Sequence, residues 1–244
     1  MTMRIGAVVA ALCLSIPVAG RAAAAVDVDL LTEERRRGLG WSDGNASLRG
    51  AIGIRPAPAI RLDARATALR GGARHGGADA VFDVSAAWLH DAGAVRFDAG
   101  GVAHLFAGGA GRLDYLELQG GAQTLVGPLD IDLSASYAPR QRAIGGDMLH
   151  MRAGARLAVI GSPFTLSASI GRTSGATTDP LRAARLRPDD RYVDWQAGVE
   201  HVRERVTLGL VYGGTDIRRR GAPATAAFRR HTGDTVIGRV TIRL

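Results

Sequence analysis

The feature that most constrains the fold of this chain is a recurring stretch of about ten residues in which apolar side chains alternate with ionised or hydroxylated ones. Over Leu129–Tyr137, the residues Leu129, Ile131, Leu133, Ala135 and Tyr137 fall on one face of an extended chain. Asp130, Asp132, Ser134 and Ser136 fall on the other. Wound as a helix, the same residues would scatter around the axis and leave no apolar stripe. Ile60–Ala68 repeats the pattern and sets Arg61, Asp63, Arg65 and Thr67 against Ile60, Leu62, Ala64 and Ala66. The alternation returns over Val95–Leu105, Leu149–Val159, Phe164–Ile170 and Val193–Val199. Such strands need two different surroundings, one for each face, and the chain reads as all-β.

The connections alternate in length. Short turns are predicted at Pro56–Pro58, Asp91–Gly93, Gly127–Pro128, Gly161–Pro163 and near Arg203–Arg205, where Pro presets φ and Gly permits positive φ. Longer polar or Gly-rich loops are predicted at Gly40–Ala46, Gly71–Ala78, Gly108–Gly111, Pro139–Asp147, Arg172–Arg191 and Thr215–Asp234. Short turns at one end and long loops at the other are the habit of bacterial membrane barrels. The strands count to about twelve, with ten or fourteen as alternatives: 27–39, 47–56, 59–69, 79–90, 94–106, 112–125, 129–138, 147–160, 164–172, 191–202, 205–214 and 234–244. Their lengths sit near the roughly 9–11 tilted residues that cross a hydrocarbon layer. The expected fold is therefore a transmembrane antiparallel up-and-down β-barrel with both termini on the periplasmic side. Its last strand, alternating to Leu244, would pair with the first. A secreted β-sandwich, which shares the alternation, is the architectural alternative.

The N-terminus bears on the compartment. Arg4 precedes an uncharged apolar run from Ile5 to Val18, and Arg21 is followed by four alanines, the composition of an export signal cleaved after Ala25. The expected organisation is a signal peptide over 1–25 and one barrel domain over 26–244, placed in the bacterial outer membrane. The sole cysteine, Cys13, lies in the leader, which leaves no thiol for a disulfide or a metal. Loss of Arg4 and Arg21 lowers the formal net charge from +8 to +6. For an exported chain, lipopolysaccharide phosphates and anionic solutes are more natural acidic partners than nucleic acid. Every basic residue besides histidine is arginine, which reads first as genomic base-composition bias.

With the apolar faces against lipid, Arg61, Asp63, Arg65, Arg96, Asp98, Asp130, Asp132, Arg152 and Arg156 would point into the lumen. An arginine at mid-bilayer on the lipid side costs about 2–4 kcal/mol, so these charges require a wet or mutually neutralising interior. Two readings stay open: an Arg/Asp-lined conduit, or cross-strand ion pairs that fill a narrow bore. The basic loops Arg182–Arg191, Arg218–Arg220 and Arg229–Arg230 would contact lipopolysaccharide phosphates or steer anions, or else stand as solvated surface. No catalytic constellation emerges. His75, His90, His104, His150, His201 and His231 are flanked by no nucleophile motif, with His104 and His150 read as lumen residues and His201 as bordering a short turn. Metal-ligand spacing is also missing, so no cofactor is expected.

Several short segments then carry a likeness. They are Arg35, Arg36, Arg37 and Gly38 followed by Ser42, Asp43 and Gly44; Asp114 to Glu117; Leu129 to Pro139; Tyr192 to Trp195 with Gly198 and Val199; and Leu208 to Asp216. In this order and spacing the chain resembles the TorF porin family of Gram-negative bacteria, over essentially all of the expected mature chain. The resemblance implies an aqueous channel without a characterised substrate. The expected function is passive diffusion of small hydrophilic solutes, anions among them, across the outer membrane. The expected partners are outer-membrane lipids, lipopolysaccharide and the barrel-assembly machinery. The alternative is a closed structural barrel whose arginine loops bind lipopolysaccharide.

Overall fold

The alternating segments form the wall of a barrel. In chain order the strands are β1 (Ala24–Leu31), the two-residue β2 (Arg35–Arg36) and β3 (Leu39–Gly40), β4 (Ser47–Ala57), β5 (Ile60–Ala68), β6 (Ala80–Ala92), β7 (Val95–Ala107), β8 (Tyr115–Val126), β9 (Leu129–Gln141), β10 (Gly146–Ala158), β11 (Phe164–Ser174), β12 (Tyr192–Arg203), β13 (Val206–Thr215) and β14 (Thr235–Arg243). The computed structural model describes residues 24–218 and 223–244. Twelve of these strands close on themselves, each antiparallel to its neighbour, and β1 completes the ring between β14 and β4. Closure leaves no edge strand with unpaired amides, which a chain surrounded by hydrocarbon cannot tolerate. Of the leader predicted over 1–25, residues 1–23 lie outside the described residues, while Ala24 and Ala25 open β1.

The predicted turn chemistry is realised. Gly127, at φ +59°, supplies the left-handed residue of the tight β8–β9 turn, ahead of Pro128. Pro56, which has no N–H to donate, sits where the β4–β5 ladder shifts register between Ile54 and Ala57. All the short turns lie at one end of the barrel. At the other lie the long connections, which include a short helix α1 (Pro180–Ala183).

The apolar register faces outward. Leu133, Leu118, Ile170 and Met151 are 57–61% exposed, an arrangement that water would oppose by about 1.5–3 kcal/mol per side chain. The opposite register carries Asp83, His104, Glu117, His150 and Asp194, all buried. This inversion of a soluble protein is what the alternation predicted, and it removes the β-sandwich. Among the described residues no helix is long and apolar enough to cross a membrane.

Most boundaries shift by one to three residues from the sequence reading, and three of the shifts change which residues count as wall. The first wall strand ends at Leu31 and does not run to residue 39. Glu33, Glu34, Arg35, Arg36 and Arg37 would put charge on both faces of a strand, and such a strand has no face to offer lipid. The chain turns inward there instead and forms the β2–β3 hairpin. Strand β9 continues through Gln141 and β11 through Ser174, so Pro139–Gln141 and Thr173–Ser174 belong to the wall and not to loops.

Candidate functional site

The site is the inside of the barrel. A twelve-stranded ring encloses more space than inward side chains alone can fill, since about eight strands already suffice for that. The hairpin occupies the surplus at the long-loop end. Its turn is made by Arg37 (φ +53°) and Gly38 (φ +72°). A Cβ on Gly38 would stand 2.3 Å from Thr215 Cγ2, so the turn approaches the wall too closely for any larger residue.

Ion pairs tie the hairpin to the wall. Arg36 reaches Asp83 of β6 at 2.8 Å and Glu34 at 3.1 Å, and Arg37 reaches Glu117 of β8 at 2.6 Å. Arg49 of β4 reaches Asp29 at 2.8 Å and Glu34 at 3.4 Å. His104 of β7 stands between the two wall carboxylates, with Nδ1 2.7 Å from Asp83 and Nε2 3.8 Å from Glu117. Glu34 and Glu117 are nearly inaccessible. Buried charges of this kind persist only when each has a partner. Above them Leu39 and Trp41 pack with Leu69, Tyr115, Met148, Leu186 and Tyr192, and Arg36 lies 4.3 Å over the Trp41 ring. An enclosed space of about 50 Å³ remains between hairpin and wall. It has room for water-sized molecules but not for a sugar or an amino acid.

A second layer of loops lies over the hairpin. Arg74 donates to the carbonyls of Gly40, Arg185, Phe228 and Arg230, so one guanidinium joins four segments. Arg185 donates to Leu113 and Ala143, and Arg187 to Gly175, Ala176 and Asp190. Burial pushes the pKa values of Arg74 and Arg185 down to about 10, and both stay charged at neutral pH. His75 lies within the same layer, its ring 4.2 Å from Trp41 and 5.0 Å from Phe106. Burial, and then the charges of Arg185 and Arg74, hold its pKa well below the ordinary 6.5.

All nine residues expected in the lumen share the inward register, and the structure brings some of them together. Arg152 pairs with Asp132 across β9 and β10, and Arg61 with Asp63 at 3.1 Å. Arg156 meets Glu200 of β12 at 3.0 Å, and Glu200 also pairs with Arg239 of β14. Asp130 accepts from Gln123. Arg96 turns to Asp91 beside the β6–β7 turn, both well exposed. Among the described residues Arg65 and Asp98 have no ion pair.

The sequence reading did not anticipate Glu34, Arg36, Arg37, Arg49, Asp83 or Glu117. The signal for the first three was the run of charge with no apolar alternation. The basic loops need a correction: Arg185 and Arg187 are buried on carbonyls, and Arg229 is held by Asp189, Pro188 and Arg218. Arg191, Arg218 and Arg230 are exposed, while Arg219 and Arg220 lie outside the described residues. His104 and His150 are inward and buried, as expected, whereas His201 takes the outward register against Phe164. Among the described residues no three His, Cys, Asp or Glu side chains gather as metal ligands.

Comparison with known proteins accords with this geometry. Residues 18–241 match a family described as "Bacterial protein of unknown function (Gcw_chp)". No curated protein matches the chain. A KdgM porin solved in complex with disordered oligogalacturonate is similar over 90% of this chain and 97% of its own, at 7% identity and a TM-score of 0.56. The COG4313 outer membrane channel from Pseudomonas putida F1 is similar over 94% and 96%, at 12% identity and a TM-score of 0.51. At these identities the likeness is one of fold.

Proposed function

The chain belongs to the Gcw_chp family, and we propose that it forms a porin-like channel of the bacterial outer membrane, described here with its lumen closed. The observation that carries the reading is the bore itself. A twelve-stranded barrel whose inward register is ionised down to the short-turn end has the interior of a water-filled passage, stopped at the long-loop end by a separate hairpin. Small hydrophilic solutes, anions among them, are the cargo such a wall would pass. In this reading the nine inward residues from Arg61 to Arg156 line the conduit, and the chain is exported by a leader over 1–25 and inserted by the barrel-assembly machinery. The finer likeness to TorF porins belongs to the same reading and rests on motif order.

No catalytic role is assigned. His104 Nδ1 faces Asp83, His150 Nδ1 faces Thr173 Oγ1 at 2.9 Å, and both rings are enclosed where a lipid substrate has no access.

The test is electrical. Full-length protein with heat-modifiable mobility on a gel, inserted in planar bilayers, is expected to give interrupted openings with a modest preference for anions. Folded protein that stays silent at every voltage would remove the channel. It would leave the second reading, a closed structural barrel binding lipopolysaccharide, which the carbonyl-locked layer around Arg74, Arg185 and Arg187 favours. In that case exchanging Arg218 and Arg230 for Ser would weaken lipopolysaccharide binding.

A further inference from the structure

The outward register of the wall is apolar almost throughout, and its polar members away from the short turns gather at the long-loop end, where Asp147 of β10 and Arg172 and Ser174 of β11 fall. Arg172 follows Phe164, Leu166, Ala168 and Ile170 in the outward register of β11 and is exposed. Its cross-strand neighbours are Met151 of β10 and Val193 of β12. Arg203 shares the register of β12 but abuts the β12–β13 turn. Among the described residues Arg172 has no ion pair. The nearby acids are engaged otherwise: Asp147 accepts from the Ala176 amide and Asp216 from the Val193 amide, each at 2.7 Å. Arg172 stands two residues from the long-loop end of β11, at the boundary between wall and loops. A guanidinium set among apolar neighbours at that boundary is poorly placed unless an anion comes to it.

Beneath it the wall is hollowed. Gly120, Ala135 and Ala153 leave a groove of about 560 Å³, flanked by Leu133, Met151 and Ile170 and reaching Arg172 and Val193. Its depth comes from small side chains on adjacent strands, and its walls are almost wholly apolar. An apolar hollow that crosses the strands along the paired residues Gly120, Ala135 and Met151 and ends beside one unpaired cation, Arg172, matches a lipid that carries a phosphate next to an acyl chain.

We propose that this groove is a binding site for a phosphorylated lipid of the long-loop leaflet, with one acyl chain lying across Gly120, Ala135 and Ala153 and the phosphate held by Arg172. The site rests on the bilayer setting of the proposed function but not on conduction. A protein silent in bilayers could still bind the lipid, and a conducting one could fail to, so the two failures are distinguishable.

The test compares diphosphoryl lipid A with its dephosphorylated form, at equal acyl composition, on detergent-purified full chain by native mass spectrometry. The intact protein is expected to retain the phosphorylated form at least tenfold better. Arg172→Gln should cut that preference to under threefold with unchanged heat-modifiable mobility, and Arg172→Lys should restore part of it. Ala153→Leu, which fills the groove from outside the barrel, should weaken both lipids about fivefold. An unchanged preference in Arg172→Gln overturns the proposal, as does a preference that disappears with Arg218→Gln instead, since the phosphate would then sit on the loops. Should Arg172→Gln fail to fold, Ala153→Leu alone decides, and undiminished binding there overturns the groove.

Discussion

The two ends of the lumen are built from the same strands and have opposite interiors. Toward the long loops, inward residues such as Thr67, Leu69, Tyr115, Met148 and Tyr192 are buried, and charges are enclosed in pairs with the hairpin. Toward the short turns, the side chains of Arg61, Asp63 and Arg156 remain 39%, 41% and 55% exposed, and pair loosely with one another or along the wall. The wall does not make this difference, for its inward register is polar along the whole barrel. A segment that left the wall makes it, by occupying space that twelve strands cannot fill with side chains. On the proposed channel reading, closure is a docking equilibrium superimposed on a stable barrel, and the two halves should respond differently to the same kind of change.

The largest effect is expected at the ion pair between Arg37 and Glu117. Glu117→Gln leaves a buried guanidinium without its carboxylate, which costs roughly 3 kcal/mol or more. That corresponds to over a hundredfold more open time in a bilayer recording. Replacing both partners by apolar residues, Arg37→Met with Glu117→Leu, should return most of the closure, because no charge is then stranded. If open time is unaffected by the single change, the hairpin is not what seals the bore.

Acid should loosen the same half more gently. Closed, His75 stays neutral, since burial and the neighbouring Arg185, Arg74, Arg36 and His104 all oppose its protonation. Opened, the ring recovers an ordinary pKa near 6.5 and gains a proton that the closed layer cannot take. A pKa lowered by closure means the contribution is fully present above pH 6.5 and falls by at most about 1.4 kcal/mol per unit below it. Amide exchange in the Arg185–Arg187 segment should therefore rise between pH 7 and pH 5, and His75→Gln should flatten that slope. An equal slope in the variant would place the acid response elsewhere.

This contrast also marks what could be read from residues alone. The wall was legible because a period of two is a local signal. Strands over Ile60–Ala68 and Leu129–Tyr137 name their own faces, and Pro and Gly name the turns. The hairpin was not, since Arg35–Gly40 is two residues on each side of a turn, and its partners Asp83 and Glu117 lie far along the chain. The loop layer was illegible for a related reason. Arg74 binds carbonyls of Gly40, Arg185 and Phe228, groups that every residue possesses and that carry no sequence signature. Arg172 was read as both the last residue of a strand and the first of a loop, because a Gly- and Ser-rich stretch follows it; Thr173 and Ser174, read as loop, belong to β11.

The smallest expected effect lies at the inward charges that have no ion pair, and its sign is the useful part. Arg65 and Asp98 have no ion pair among the described residues; Asp98 projects its charge into the bore, while Arg65 stands opposite Asp83, among the charges of Arg49, Arg36 and Glu34. At about 10 Å in a watery medium a unit charge shifts an ion's energy by only ~0.4 kcal/mol, close to a factor of two in occupancy. Arg65→Gln should lower the anion-to-cation permeability ratio by about that factor, read from the reversal potential under a salt gradient. Asp98→Asn should raise it by a similar amount and leave open time unchanged. The effect should shrink in 1 M salt, where screening falls to about 3 Å. Shifts of the same sign from both variants, or a change in gating without one in selectivity, would mean that these residues act on the hairpin and not on the passing ion.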